Sequence, residues 1–270
     1  MPTADALNES PLSYLSAVDV VSTRATDAAQ LLMLGEADLA VVIGNDAGRL
    51  SAAQRPFEML RAPGWDRVYF LWSDPSFRWT ADPNFRRWLG GIIDRQQLGA
   101  LLFDGYASAS WRLLESGDGP VWPDPVRAPF AATSQPVLRL AYDDSDPAAR
   151  AIASRLKATL VTERIELQLE TDSRGRRDLH LFRFEIAAGD GPNSLARLLQ
   201  RLDSADDVTA AARLYLDQGA AQLAEDALLM EANAIPLIRL QAWFALDPRL
   251  VNVRPGLVGD VGLREAWWQR

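Results

Sequence analysis

DPNFRRWLGGIIDRQQLGALLFDGYAS, residues 82–108, decides how this chain is read. Asp82 followed by Pro83 is the signature of a helix start: a carboxylate that accepts from free backbone N–H groups, then a proline whose missing N–H is harmless in the first turn. Phe85, Trp88, Leu89, Ile92 and Ile93 recur at the spacing of one helical face, which predicts a buried stripe. Arg86, Arg87, Asp94, Arg95 and Gln96 are expected largely on the solvent side. The helix leads by a hydrophobic step into Gly105-Tyr106-Ala107, an exit loop.

Upstream of this segment, strand and helix signals alternate. Residues 18–22 read as a short strand, 27–34 as a helix with Gly35 as its C-cap, and 39–43 as a continuous apolar strand buried on both faces. Ser51 is placed to cap a helix running to Leu60; a loop over 61–65 then leads to a strand over 67–72.

Downstream, Pro120, Pro123, Pro125, Pro129 and Pro136 make residues 117–136 a surface connection, because proline cannot donate to a ladder or continue a helix. A strand over 136–142 follows, then a helix from Asp146-Pro147 to about residue 160, and a strand over 164–170 with Ile165, Leu167 and Leu169 facing inward. After a turn at 174–177, residues 179–186 alternate, with His180, Phe182 and Phe184 on one face and Leu179, Leu181 and Arg183 on the other. Helices over 194–202 and 205–232 and a strand over 235–244 complete an α/β order.

Composition narrows the chemistry. The chain has 270 residues, 48% hydrophobic and 24% charged, enough for at least one full core. Its net charge of −8 argues against nucleic acid or an anionic membrane as partner. There is no cysteine, so disulfides and thiolate chemistry are excluded, and His180 is the one histidine, so a histidine metal cluster is excluded by count. His180 sits among hydrophobic neighbours on a strand, a poor setting for a general base. Asp143, Asp144 and Asp146 read as a solvated turn and a helix start rather than a metal site. No GxxxxGK[ST], GxGxxG or GxSxG string occurs. The chain is therefore expected to be no enzyme and to need no cofactor or metal. No stretch reaches the roughly 18–20 apolar residues of a membrane span, so direct membrane insertion is not expected.

Several landmarks resemble one family. Arg86-Arg87 with Ile93-Asp94-Arg95 and Gly105-Tyr106-Ala107 is similar to the "vRrAl..aiDR..l....G.a.pa" region of the family 5 extracellular solute-binding proteins, the peptide, nickel and oligosaccharide receptors of ABC importers. Leu34-Gly35-Glu36-Ala37-Asp38 resembles their "l..GevDia" step. Tyr142 to Leu169 resembles the "y...dp...a..i...l...Gi.v.l" section, with Thr162-Glu163 where glycine is usual. Ile235-Pro236-Leu237-Ile238-Arg239 through Ala245, Pro248, Arg249, Leu250, Val251 and Asn252 resembles the closing "iPL......a..prv.g" section. The landmarks come in the family's order along nearly the whole chain.

The resemblance implies a periplasmic-binding-protein-like α/β fold of type II. Two lobes are joined by two crossing strands at 68–73 and 236–243, with the N-terminal part of the first lobe missing. Residues 1–72 plus 238–270 would form the first lobe and 73–237 the second, with a ligand in the cleft and hinge closure at the crossings. The implied function is capture of a small polar ligand such as an oligopeptide for the membrane subunits of an ABC transporter, outside the cytoplasm. Residues 1–11 carry no basic or apolar signal segment, so the chain is expected to be a trimmed receptor or a form that stays in the cytoplasm. A cytoplasmic ligand-sensing regulatory module of the same fold, or a degenerate scaffold that binds only proteins, are the alternatives.

Candidate ligand residues follow from the same alignment of motifs. Asp190 in Ala187-Ala188-Gly189-Asp190-Gly191-Pro192-Asn193 matches the aspartate of a "W.aDy.dp" motif that receives a peptide α-ammonium; it equally suits a turn before a helix at Pro192. Ala187 and Gly191 replace the aromatic residues of that motif. Trp72, Tyr106 and Trp243 lie near the crossings, where rings can stack on a ligand or pack the lobes. Arg239 suits a ligand carboxylate or an interlobe ion pair, and Asn45 follows the strand over 39–43.

Overall fold

In chain order the computed structural model places β1 (Ser13–Tyr14), α1 (Ala25–Leu34), β2 (Leu39–Ile43), α2 (Asn45–Ser51), β3 (Glu58–Arg61), β4 (Arg67–Ser73), α3 (Pro83–Ile92), α4 (Arg95–Phe103) and β5 (Ala107–Ala109). Then come β6 (Val137–Ala141), α5 (Pro147–Thr162), β7 (Glu166–Glu170), β8 (Leu179–Glu185), α6 (Gly191–Leu202), α7 (Asp207–Asp217) and α8 (Ala221–Met230). The chain closes with β9 (Ala234–Leu240), β10 (Ala242–Leu246), β11 (Leu250–Val251), β12 (Arg254–Pro255), β13 (Val261–Gly262) and β14 (Trp267–Trp268). The structure describes residues 13–15, 18–20, 25–62, 64–103, 105–114, 135–171, 175–185, 191–202, 207–230, 232–256, 261–263 and 266–268. Asp190 and the proline-rich connection up to residue 134 lie outside these.

The long apolar strands assemble into a six-stranded mixed sheet in the order β5-β9-β4-β8-β6-β7. Its central strand β4 alternates between two cores. Tyr69 and Leu71 meet the layer of α3, α4 and α5, while Val68, Phe70 and Trp72 meet α6, α7 and α8. A strand covered on both faces has no polar side to show, which is why residues 68–72 read as an unbroken apolar run. The register of β9 against β4 shifts between Tyr69 and Phe70, which stand opposite Ile238 and Pro236. Leu237 is therefore an extra residue, and the bulge inverts the alternation. Ile235 and Leu237 before it and Ile238 and Leu240 after it all reach the α3–α5 core. Proline is tolerated in this central strand because it sits at the bulge.

A second sheet, β2-β10-β3, is antiparallel throughout. Ala40 and Val42 face α1 and α2 through Ala29, Leu32, Ala47 and Leu50. Phe244 and Leu246 face the opposite side, with Leu39, Val41 and Ile43 packed beside them and Leu250 and Ala266 as cover. At the end of β10 the buried Asp247 carboxylate accepts from the Arg249 guanidinium and backbone N–H, each at 3.0 Å, and from Arg55. These hydrogen bonds, the Arg249 side chain foremost, hold the Asp247 carboxyl down to about 2.

Several elements depart from the sequence reading. Residues 18–20 are exposed and form no strand. The helix expected to run from Ser51 to Leu60 instead ends at Ser51: it begins at Asn45 behind Gly44, whose φ of 58° suits glycine, and Pro56 precludes its extension while Glu58–Arg61 pairs with β10. The long helix over 205–232 is two helices, parted at Gly219 with φ of 74°, where the Gly219 and Ala220 N–H groups cap the Leu216 and Tyr215 carbonyls at 2.8 Å. The strand over 235–244 breaks at Gln241 into β9 and β10.

The largest correction concerns the opening segment. Its helix stops at Ile93, which is extended, and restarts with Asp94 accepting from the Gln97 N–H at 2.8 Å. Arg86 and Arg95, expected on the solvent side, are buried at 3% and 2% exposure. Arg86 donates to the Thr80 carbonyl at 2.7 Å. Arg95 donates through Nη1 to the Gly90 and Ile93 carbonyls at 2.8 and 3.2 Å, groups freed by the helix break, and through Nε to Pro236 in β9 at 2.7 Å. Its guanidinium lies 4.2 Å from the Trp111 ring centre, and burial pushes its pKa down to about 9.

Two outcomes follow. Arg95→Lys loses the planar fork that reaches three carbonyls and should cost about 2–4 kcal/mol, read as an earlier urea midpoint followed by tryptophan fluorescence; an unchanged midpoint would refute the capping role. Because the Asp247 carboxyl is depressed below the roughly 3.9 of an unfolded aspartate, its contribution is present above pH of about 4 and lost as pH falls towards 2. The stability gap between wild type and Asp247→Asn should therefore shrink below pH of about 4, whereas parallel acid profiles would contradict the assignment.

Candidate functional site at the junction of the two sheets

The chain passes between the two sheets twice, through residues 62–66 from β3 to β4 and at Gln241 from β9 to β10. Of the two segments expected to cross, 68–73 lies in β4 within the large sheet, whereas 236–243 runs from β9 of the large sheet through Gln241 into β10 of the small one. Asp66 ties the two passages together. Its Oδ1 accepts from the Ala242 N–H at 3.1 Å, and its Oδ2 accepts from Arg61 Nη2 at 2.6 Å. Arg61 Nη1 and the Ala62 N–H both donate to the Ala242 carbonyl, at 2.7 and 3.0 Å.

On this base sits an aromatic pair. Gln241 N–H donates to the Tyr106 carbonyl at 3.2 Å, which fixes the start of β5 beside the second passage. The Tyr106 ring meets Trp243 edge-on, with centres 6.1 Å apart and planes at 77°, and the Arg61 guanidinium lies 5.8 Å from the Trp243 ring. Helix α2 closes the other side. A Cβ at Gly48 would stand 3.4 Å from the Tyr106 ring, and one at Gly44 would stand 3.3 Å from Phe103 and 3.4 Å from Leu240. Asn45, the first residue of α2, is exposed.

The structure thus brings Tyr106 and Trp243 together, with Arg61, Asp66 and Gly48 beside them, which the sequence did not single out, while Asn45 starts the helix that carries Gly48. Trp72 lies elsewhere: it is 4% exposed, between His180 and Ala234, in the core against α6–α8. Arg239 is buried, and its Nη2 reaches the Leu113 carbonyl at 3.4 Å. Burial pushes the Arg239 pKa down, and the carboxylates of Asp66 and Glu225 oppose that shift. Glu225 is itself pushed up by burial while accepting from the Leu113 and Leu114 N–H groups. Arg112 donates to Asp226 at 2.7 and 2.9 Å beside it.

These groups suit binding. Arg61 carries a charge already matched by Asp66, and the half-buried aromatic rings offer faces and edges for stacking. Trp243 Nε1 is buried without a hydrogen-bond partner among the described residues, an unmet donor inside the site. Among the described residues there is no cluster of three or more metal-ligating side chains, and no helix is long and apolar enough to cross a membrane. His180 stacks on Phe182 at 5.6 Å, and burial lowers its pKa.

No protein-family model matches the chain, and no curated protein matches it in sequence. Solved structures match its fold. NikA from Brucella suis, in complex with Fe(III)-EDTA, aligns with a TM-score of 0.69 and 16% identity over 91% of this chain and 60% of its own. NikZ from Campylobacter jejuni, in complex with Ni(L-His), aligns at 0.67 and 14% identity with the same coverages, 91% and 60%. An ABC transporter substrate-binding protein from Sinorhizobium meliloti aligns at 0.65 and 20% identity over 92% and 60%. The fold is the periplasmic-binding-protein-like α/β fold that the sequence landmarks implied, and the chain spans about 60% of the length of these structures.

Removing the Asp66 carboxylate should loosen both passages at once. Asp66→Ala is expected to lose about 1–3 kcal/mol and to speed amide exchange at Ala242 more than at β4. Equal protection of Ala242 in the variant would show that the junction is held by other groups.

Proposed function

We propose that this chain is a solute-binding component of an ABC-type importer, capturing a small polar ligand such as an oligopeptide at the junction of its two units. The observation that carries the proposal is the edge-on pairing of Tyr106 with Trp243, from two separate segments, where the two sheets meet; Asn45, at the start of α2, is a further candidate. The fold shared with substrate-binding proteins supports it, and so does a site made of stacking surfaces and an unmet indole donor. A ligand there presents a flat or apolar face to Tyr106 and Trp243.

The sheet membership of the strands supports lobes that part at residues 62–66 and at Gln241, a few residues from the boundaries read in the sequence. Closure would turn about these passages. In this reading the membrane subunits of the transporter are the protein partners, the place of action is extracytoplasmic, and Asp190 is the candidate for a peptide ammonium. The chain performs no chemistry on what it binds.

A thermal-shift panel of di- to pentapeptides, oligosaccharides and nickel chelates tests the reading. A ligand present at 100 times its Kd adds about 2.7 kcal/mol to folded-state stability and raises the melting temperature. Tyr106→Ala and Trp243→Ala should each weaken the active ligand about 10- to 30-fold. For a peptide, Asp190→Asn should weaken the free form far more than the N-acetylated one. A panel without any shift, or ligand affinity untouched by both aromatic substitutions, would sink the proposal.

A further inference from the structure

After β5 the chain runs on as a strap, residues 110–114, that joins the two helix layers of the large sheet. The Trp111 ring lies 4.2 Å from the buried Arg95 guanidinium of α4, whereas Leu113 is fully buried in the core against α6–α8. Ser110 fixes the near end: its N–H donates to the Leu237 carbonyl at 3.0 Å and its hydroxyl to the Arg112 carbonyl at 2.7 Å. The far end rests on one side chain of α8. Glu225 Oε1 accepts from the Leu113 and Leu114 N–H groups, the latter at 3.0 Å. Tyr106 stands directly before β5, so the strap helps to hold it at the junction.

Glu225 is only 2% exposed, and the charges around it leave its own poorly matched. Arg112, from the strap, stands 3.7 Å away but donates through both Nη groups to Asp226 Oδ1, at 2.9 and 2.7 Å. Arg239, from β9, attracts Glu225, but its Nη2 is turned to the Leu113 carbonyl and Asp66 shares its charge. Asp226, next to Glu225 on α8, repels it. From α6 and α7 this core receives Leu195, Leu198, Leu199 and Ala212, which carry no charge. The carboxylate thus loses its water without gaining a close ion pair. Burial raises the Glu225 pKa, against the pull of the two N–H donors and Arg112.

We infer that Glu225 is a proton-operated latch, which holds residues 110–114 against α8 more firmly when its carboxyl is protonated than when it is ionised. With the strap closed the carboxyl is dry. With the strap lifted, water reaches it and it binds protons as an ordinary glutamate does. The closed form therefore takes the proton more readily, and by linkage the proton favours the closed form. A protonated carboxyl keeps its carbonyl oxygen as acceptor for the Leu113 and Leu114 N–H groups. As pH rises above the ordinary glutamate range, the ionised group carries the cost of burial and the strap opens more often. The latch tightens in acid and loosens as pH rises, whatever the junction binds.

Hydrogen–deuterium exchange of the full chain between pH of about 5 and about 8, with the intrinsic pH dependence of each amide divided out, tests the latch. Protection of the Leu113 and Leu114 amides should fall several-fold as pH rises across this range, while the amides of β4 keep theirs. Glu225→Gln has no charge at any pH and keeps an acceptor oxygen, so its strap should stay protected throughout. His180→Gln should behave as wild type, because His180 stacks on Phe182 within β8 and does not touch the strap. Flat protection in wild type overturns the latch even if the Glu225 variant does not fold. So does a fall that persists in Glu225→Gln, or one that disappears in His180→Gln.

Discussion

Strand β9 has no water to turn to. All seven of its residues are buried, and it lies between β4 and β5, one strand in from the edge of the large sheet. Each backbone group there must find a protein partner or lose free energy comparable to a hydrogen bond. Most are met by the ladders, but the bulge at Leu237 and the proline at 236 disturb them. Ser110 N–H donates to the Leu237 carbonyl at 3.0 Å, and Arg95 supplies the Pro236 carbonyl. The same guanidinium caps the broken end of α3, so one buried cation couples the central strand to the helix layer above it. That coupling lets the helix pair α3–α4 turn at Ile93 and deliver its chain to Tyr106 at the junction.

Local signals were legible in the sequence where local chemistry decides the outcome. Asp82 and Asp146 do accept from the N–H groups of Asn84 and of Ala148 and Ala149, and the apolar runs at 39–43 and 67–72 and the alternating segment over 179–185 are strands. Arg95 was misread for a physical reason: an amphipathic pattern counts arginine as polar, yet its planar fork is the group that can satisfy several carbonyls in a space without water. The split of the 205–232 helix rests on Gly219, whose left-handed conformation is indistinguishable in sequence from a tolerated helix glycine.

The junction was legible only in part. Tyr106 and Trp243 stand near passages that the family landmarks marked, and the structure joins them. Trp72 carried the same signal, an aromatic residue on an apolar strand, but strand parity turns it into the α6–α8 core. Asp66 gave no signal, because its partner Ala242 is 176 residues away and is met through the backbone N–H, which every residue except proline carries.

The clamp at Asp66 also constrains how a binding protein with this junction works. Ala242 and Arg61 are held by the one carboxylate of Asp66, so a rotation between the units carries both passages together. Groups close to a rotation axis change their separation little. Tyr106 and Trp243, seated beside the second passage, would therefore grip a ligand nearly alike before and after closure. A ligand moves such an equilibrium only through the difference in its affinity for the two conformations. In the proposed receptor the aromatic pair supplies capture, while the preference for the closed form must come from contacts farther from the axis, where a small angle becomes a large displacement.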